Sequence, residues 1–390
     1  MRAVAEDRLP NTSEGFKTHI DRCLGCRACE QVCPAGVEYG QLLEASRAEL
    51  LQTQPQTDFT GKLLRFALRH VWSSPARLSL FFKTSRLFRD LGLVKLLLKS
   101  RIASLFSKRG QFALALLESS RRKRSEVNPK ESAPAQTGSC HRIVSLFAGC
   151  VGEGLFPHVN RASKRVLETN GFNVEVPTEQ VCCGALHAHA GDLEGARELA
   201  RKNVKAFSKS MTPVVTNAGG CGAMLLSYSH LLQDDDELAS SAREFSERVK
   251  DIGQVLQTVD IKTGQGPAKD LVTYDASCHL LYGQHAAESS RAMLHSIEDL
   301  NFTELRGAER CCGGAGVYNL LQPDMSARVL DEKLQNIVDS GANVLTTGNP
   351  GCQMQIGAGA CLAGINLDVR HPVELLDESY ERAGFYSKNE

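Results

Sequence analysis

The 390 residues contain no G-x-x-x-x-G-K-[ST] loop, no G-x-G-x-x-G run opening a helix and no G-x-S-x-G turn. Phosphate cradling, dinucleotide binding and serine-nucleophile chemistry thus lose their usual sequence carriers. Gly313-Gly314-Ala315-Gly316 follows a cysteine pair and reads as close backbone packing. The opening stretch, MRAVAEDRLPNTSEG, has no apolar segment of the kind an export signal needs, so a cytoplasmic setting with reduced thiols is expected. Net charge is absent too, with 45 basic and 45 acidic residues, and no nucleic-acid partner is expected. Residues 211–233 and 341–367 lack charge but are rich in Gly, Asn, Thr and Gln. Neither reads as a membrane span, which needs about 20 mainly apolar residues.

What the chain has is cysteine, fourteen in all. Without export, clustered cysteines read as metal ligands rather than disulfides. Cys23, Cys26, Cys29 and Cys33, followed by Pro34, form the C-x2-C-x2-C-x3-C-P run of a ferredoxin-type [4Fe-4S] site. The short gaps let one tight loop present three thiolates to one cluster. A structural zinc site is the competing reading, although zinc usually takes two separate C-x2-C pairs. In two-cluster ferredoxins the fourth cysteine serves the other cluster, yet nothing before Cys23 contains a cysteine. Residues 1–10 read as the body of a helix without a capping residue. The expectation is therefore that Met1 is internal to a longer protein that carries a second such run upstream.

The remaining cysteines repeat. Cys150, Cys182-Cys183-Gly184 and Cys221 are followed at spacings of 128, 129 and 131 residues by Cys278, Cys311-Cys312-Gly313 and Cys352. Near-constant spacing at three landmarks indicates a duplicated domain. Apolar strand patterns at 142–147, 173–176, 213–216, 271–274 and 343–346 alternate with helical stretches, which predicts parallel α/β units. Each cysteine then falls just beyond a strand's carboxyl end, where open α/β sheets place their sites. Four thiolates per repeat suit a four-iron cluster or tetrahedral zinc; buried reduced cysteines are the plainer alternative. Cys140 and Cys361 have no counterpart in the other repeat and read as structural. His187, His189 and His279 lie beside the cysteines and read as supporting or surface groups, with tuning of potential by hydrogen bonding or proton relay as the alternative.

Between residues 61 and 124 stand sixteen Lys or Arg against two acids, Asp90 and Glu118, a net of +14. Leu63, Leu64, Ala67, Leu68 and Val71, and later Leu87, Phe88, Leu91 and Val94, recur at helix spacing. Such basic amphipathic helices lie on an anionic membrane, dock on an acidic partner, or pack on their own protein and show a solvated basic face. The organisation expected is α/β: a small ferredoxin-like N-terminal module (1–45), a basic helical segment (46–124), a polar linker (125–139), then two duplicated α/β cysteine-rich (CCG) domains, 140–262 and 268–378.

The doubled C…CCG…C pattern resembles the cysteine-rich domain of heterodisulfide reductases and of anaerobic glycerol-3-phosphate dehydrogenases. HIDRCLGCRACEQVCPAGVEYG, CCGALHAHAGD, DASCHLLYGQ, CCGGAGVYNLLQP and TGNPGCQMQIGAG together resemble the iron–sulfur subunit family of glycolate oxidase. That resemblance implies FAD-binding partner subunits that oxidise glycolate or D-lactate, while this subunit passes electrons towards the quinone pool at the cytoplasmic membrane face. It implies cluster ligands at the four ferredoxin-type cysteines and a second set at the eight repeat cysteines, with zinc still open there. Heterodisulfide reductases carry a further cysteine per repeat where this chain has Met224 and Gln355. That departure weighs against a thiol–disulfide reductase. A zinc-stapled assembly scaffold is the other rival.

Overall fold

The computed structural model describes residues 1–54, 58–100, 107–121, 142–267 and 269–386. The linker 125–139, Cys140 and Arg101 lie outside them. The N-terminal cysteine run is braced by α1 (Glu14–Arg22) and α2 (Tyr39–Thr53). Phe16 and Ile20 on one, Leu43 and Leu50 on the other, form a small core of their own. Spacings of four and seven put each pair on one helix face. Of residues 1–10, only Arg2–Ala5 is helical, with no side-chain cap.

The basic segment follows as α3 (Phe59–Ala67), a π-helical turn at Leu68–Trp72, α4 (Pro75–Asp90), α5 (Leu93–Lys99) and α6 (Lys108–Ser119). The Asp58 carboxylate caps α3 by accepting from the Gly61 N–H. These helices pack on the rest of the chain. Leu78 and Phe82 of α4 enter the main apolar core. The Phe82 ring fits because residue 154 is glycine; a Cβ there would lie 2.3 Å from it. At α6, Ser119 packs on Gly357 and donates to the Met354 carbonyl at 3.1 Å.

The expected apolar stripes are only half right. Leu68 and Val94 are buried, but Leu63, Leu87 and Leu91 are 54%, 61% and 66% exposed. The reason is geometric. Leu87 lies nine residues from buried Leu78, which is 180° around a helix at 100° per residue, so the two face opposite ways. Phe59, Phe66, Leu80 and Leu96 join the outward set. The helices α3, α4 and α5 thus each have an inner face used by the fold and an outer apolar face that is not. Among the described residues no helix is long and apolar enough to cross a membrane.

In repeat one, β1 (Arg142–Phe147) is followed by α7 (Cys150–Leu155), α8 (Pro157–Thr169), β2 (Phe172–Glu175), α9 (Leu193–Ala206), β3 (Val214–Thr216), α10 (Gly219–Leu226) and β4 (Val249–Asp251). The sheet order is β2-β1-β3-β4, all parallel. Repeat two has β5 (Val272–Asp275), α11 (Pro323–Ser340), β6 (Val344–Thr347), α12 (Pro350–Ala363), β7 (Asp368–Arg370) and α13 (Pro372–Arg382). Its parallel order is β5-β6-β7, and a single parallel bridge from Val272 to Phe302 stands where β2 stands in repeat one. Registers agree as well: Phe147 pairs with Thr216, and Asp275 with Thr347. Central strands buried on both faces read as continuous apolar runs, which is why the sequence located them within one residue.

The two repeats share one core, in which Val144 and Leu146 meet Val272, Tyr274 and Val344. Across the seam Arg165 on α8 donates to Asp377 on α13 at 2.9 Å, and the Gly219 N–H donates to the Gly348 carbonyl at 2.9 Å. The seam therefore runs beside the cysteine-bearing starts of α10 and α12.

Candidate metal centres

Cys23 leaves α1 and the chain then turns at Gly25 (φ +66) and Arg27 (φ +65). Left-handed backbone at a non-glycine residue costs on the order of 1 kcal/mol or more. Arg27 is held there by an ion pair to Glu30 (2.9 Å), whose other oxygen accepts the Gly40 N–H at 2.6 Å. The loop is thus pinned to α2, with the Gly25 N–H directed at Cys23 Sγ, 3.4 Å away. Backbone N–H groups of Val37 and Ala35 push the Cys33 thiol down. Burial pushes Cys26 up, and the neighbouring charges of Cys311, Cys23 and Cys29 add to it. Cys311 belongs to repeat two, so the N-terminal run sits against that repeat's cysteines.

In each repeat the cysteine side chains approach one another in pairs. Cys150 donates to Cys182 at 3.3 Å and Cys183 to Cys221 at 3.5 Å. In repeat two Cys312 donates to Cys352 at 3.2 Å. The neighbouring thiols of Cys278 and Cys312 hold the Cys311 thiol well below the ordinary range, while Cys311 and burial push theirs up. Gly184 (φ +89) and Gly313 (φ +83) make the bend that lets adjacent cysteines face one site. Met224 and Gln355 are both buried. Gln355 accepts from Asn319 and donates to Ser326, bracing the loop of Cys311 and Cys312. Cys361 lies on the exposed side of α12.

The histidines serve as struts. Burial pushes His187 down, and its Nε2 lies 3.1 Å from the Leu68 carbonyl, tying repeat one to the basic segment. His189 pairs with Glu44 of α2 at 3.2 Å. Burial pushes His279 down to about 4, and its Nε2 lies 3.0 Å from the Gly25 carbonyl. Neutral His279 therefore donates to the N-terminal loop, one residue from Cys278 and one from Cys26. Arg47 adds two more ties, to the carbonyls of Cys23 (2.6 Å) and His189 (3.1 Å). A last link joins the repeats. The Gly220 N–H donates to Asn349 Oδ1 (3.2 Å), and Asn349 Nδ2 donates to Cys352 Sγ (3.3 Å).

Among the described residues no three His, Cys, Asp or Glu side chains close around a single ion. The thiols instead touch in pairs, at contacts shorter than the sulfur–sulfur spacing of about 3.8 Å that tetrahedral zinc with 2.3 Å bonds implies. The donor sets are nevertheless all soft sulfur, the chemistry of iron–sulfur clusters and structural zinc. Reading the sequence missed Asn349, Arg47 and the buried pair Lys333–Asp275 (2.7 Å). The first and third had a signal: at the spacing of the repeats, Asn349 faces Ala218, Lys333 faces Asn203 and Asp275 faces Phe147.

The model of the CCG cysteine-rich domain matches residues 144–226 and 272–357, which hold all eight repeat cysteines. A probable glycolate oxidase iron-sulfur subunit of Bacillus subtilis (strain 168) is 34% identical over 392 residues, covering 98% of this chain and 86% of that protein. The chain belongs to the glycolate oxidase iron–sulfur subunit family. The Escherichia coli (strain K12) glycolate oxidase iron-sulfur subunit is 28% identical over 93% of this chain and 83% of its own length. Lactate utilization protein A of Exiguobacterium sp. is 33% identical, but over 62% of this chain and 99% of its own length. Family membership agrees with the resemblance drawn from the cysteine motifs and with the doubled α/β fold.

Proposed function

We propose that this chain is the electron-carrying subunit of a complex that oxidises a 2-hydroxy acid, glycolate or D-lactate, to the 2-oxo acid. The observation that carries the reading is the juxtaposition of three cysteine sets in one body, bridged beside their sulfurs by His279–Gly25 and by Gly220–Asn349–Cys352. The names of the relatives supply the oxidoreductase class. Iron–sulfur clusters, [4Fe-4S] at Cys23, Cys26, Cys29 and Cys33 and of open type at the eight repeat cysteines, supply one-electron transfer when bound. This chain's residues hold them rigidly. Glu30 and Arg47 fix the N-terminal loop, and Gln355 fixes the loop of repeat two. FAD-binding partner subunits are the source of electrons in this reading. Buried Met224 and Gln355, in place of further thiols, speak against disulfide reduction.

The outlet is quinone at the cytoplasmic face of the membrane. A cavity of about 70 Å³ lies between α1, α2, α3 and the two repeats, lined by Leu50, Leu64, Leu68, Val317, Tyr318 and Arg47. Arg47 connects that cavity to Cys23. On the far side of α3, Phe59, Leu63 and Phe66 face outward among basic residues. That combination suits a surface seated at the headgroup boundary of an anionic bilayer. Metal analysis of anaerobically purified protein tests the proposal. Eight or more irons per chain are expected; two zincs and no reducible iron would make the chain an assembly scaffold and overturn it.

A further inference from the structure

The two repeats share a backbone but not an electrostatic environment. Ala200, Asn203 and Val204 on α9 correspond to Leu330, Lys333 and Leu334 on α11, all buried at the same spacing of 130 residues. In repeat one the central position is neutral. Asn203 accepts the Val181 N–H at 2.8 Å and donates to the Cys182 carbonyl and the Tyr228 hydroxyl, each at 3.0 Å, with Phe147 at the strand position. In repeat two it is a cation, Lys333, only 1% exposed. Its ammonium lies 2.7 Å from Asp275 and donates to the Gly307 carbonyl at 2.7 Å. Asp275 in turn accepts from Thr347 Oγ1 at 3.0 Å. The Lys333 ammonium also reaches the Ala308 carbonyl at 3.4 Å, so it is bonded to the loop that leads into Cys311 and Cys312.

The second asymmetry is Asn349. It donates to Cys352 Sγ at 3.3 Å, whereas its counterpart Ala218, beside Cys221, has no side-chain donor. Cations and N–H donors at ligand sulfurs stabilise the more negative, reduced state of a cluster, and hydrogen bonds to sulfur are a recognised control of potential. Asp275 offsets part of the Lys333 charge, and the Asn349 N–H acts in the same direction as the ammonium. We propose that repeat two is the higher-potential station of the pair, set so by Lys333 and Asn349 as positioning residues. Electrons delivered to either repeat then settle in repeat two, which also abuts Cys26 through His279. The inference rests on the electron-carrier reading above.

The test is a redox titration of the iron-loaded protein followed by electron paramagnetic resonance, with Cys182→Ser used to assign the repeat-one signal. In the unaltered chain the repeat-two signal changes first as the potential falls. Asn349→Ala and Asn349→Asp, the latter keeping an acceptor for the Gly220 N–H, lower the reduced-to-oxidised ratio of repeat two about tenfold at fixed potential. That is 59 mV for a one-electron couple, with repeat one unmoved. The paired change Lys333→Met with Asp275→Leu shifts repeat two the same way and leaves no lone buried charge. Thermal unfolding midpoints establish that each variant is folded. Repeat one reducing first, folded variants titrating like the parent, or zinc in repeat two beside iron in repeat one each overturns this inference alone. Absence of iron from both repeats overturns the electron-carrier reading itself.

Discussion

Replacing Gly313 by alanine should damage the protein more than the same change at Gly184, although the two glycines are equivalent in the repeats. Both have left-handed backbone, φ +83 and φ +89, so the added Cβ costs each about 1–2 kcal/mol of backbone strain. The surroundings then separate them. At Gly184 the nearest atoms to a new Cβ are the Cα and carbonyl oxygen of Ala196, each 3.3 Å away, and a few tenths of an ångström relieve the contact. At Gly313 the nearest atom is the Ser326 carbonyl oxygen at 2.6 Å. Ser326 cannot retreat freely, because its hydroxyl donates to the Gly313 carbonyl (2.8 Å) and accepts from Gln355 (3.0 Å). Overpacking against such a fixed wall costs a further ~1–3 kcal/mol. Gly313→Ala should therefore melt several degrees below Gly184→Ala and retain less metal in repeat two. Thermal unfolding and metal analysis on both variants read this out. Equal midpoints and equal metal content would refute the packing argument, leaving only backbone strain.

Arg47→Ala removes two bonds that tie the N-terminal loop to α2 and repeat one; the expected outcome is metal loss from the Cys23 set, read by metal analysis, with the repeats unchanged. Burial alone would raise the Glu44 carboxyl, but the hydrogen bond and charge of His189 outweigh it and hold Glu44 below its ordinary 4.5. A depressed folded-state pKa contributes stability above the unfolded value and loses it as pH falls through the folded one. Docking of the N-terminal module should thus weaken as pH falls below about 4.5, and Glu44→Gln should flatten that dependence in a melting series at pH 6 to 3. Lys95→Gln with Lys99→Gln removes two charges worth about 1 kcal/mol each near an anionic bilayer, so liposome partitioning should fall roughly 30-fold at low salt. Partitioning equal to the parent's would assign the segment to packing alone.

The repeated fold was legible because three cysteine landmarks fixed the copies and buried parallel strands are written as continuous Val, Leu and Thr runs. The cysteine sets were legible for the same reason. The orientation of the basic helices was not. Several of them are apolar on two faces, and the glycines at 154 and 357 that admit Phe82 and Ser119 lie far away in the sequence. Contacts such as His279 with Gly25, 254 residues apart, leave no mark in local periodicity. Lys333, Asp275 and Asn349 did leave one, as unlike residues at like places in two otherwise matched copies.

The most direct test of electron carriage is rapid-freeze electron paramagnetic resonance of the assembled complex after mixing with glycolate or D-lactate under anaerobic conditions. Signals assigned to the Cys23 set and to the repeats should appear within one turnover, and Cys311→Ser should interrupt their sequence while the flavin of the proposed partner subunit still becomes reduced. Reduced flavin with every signal on this chain unchanged would contradict the account.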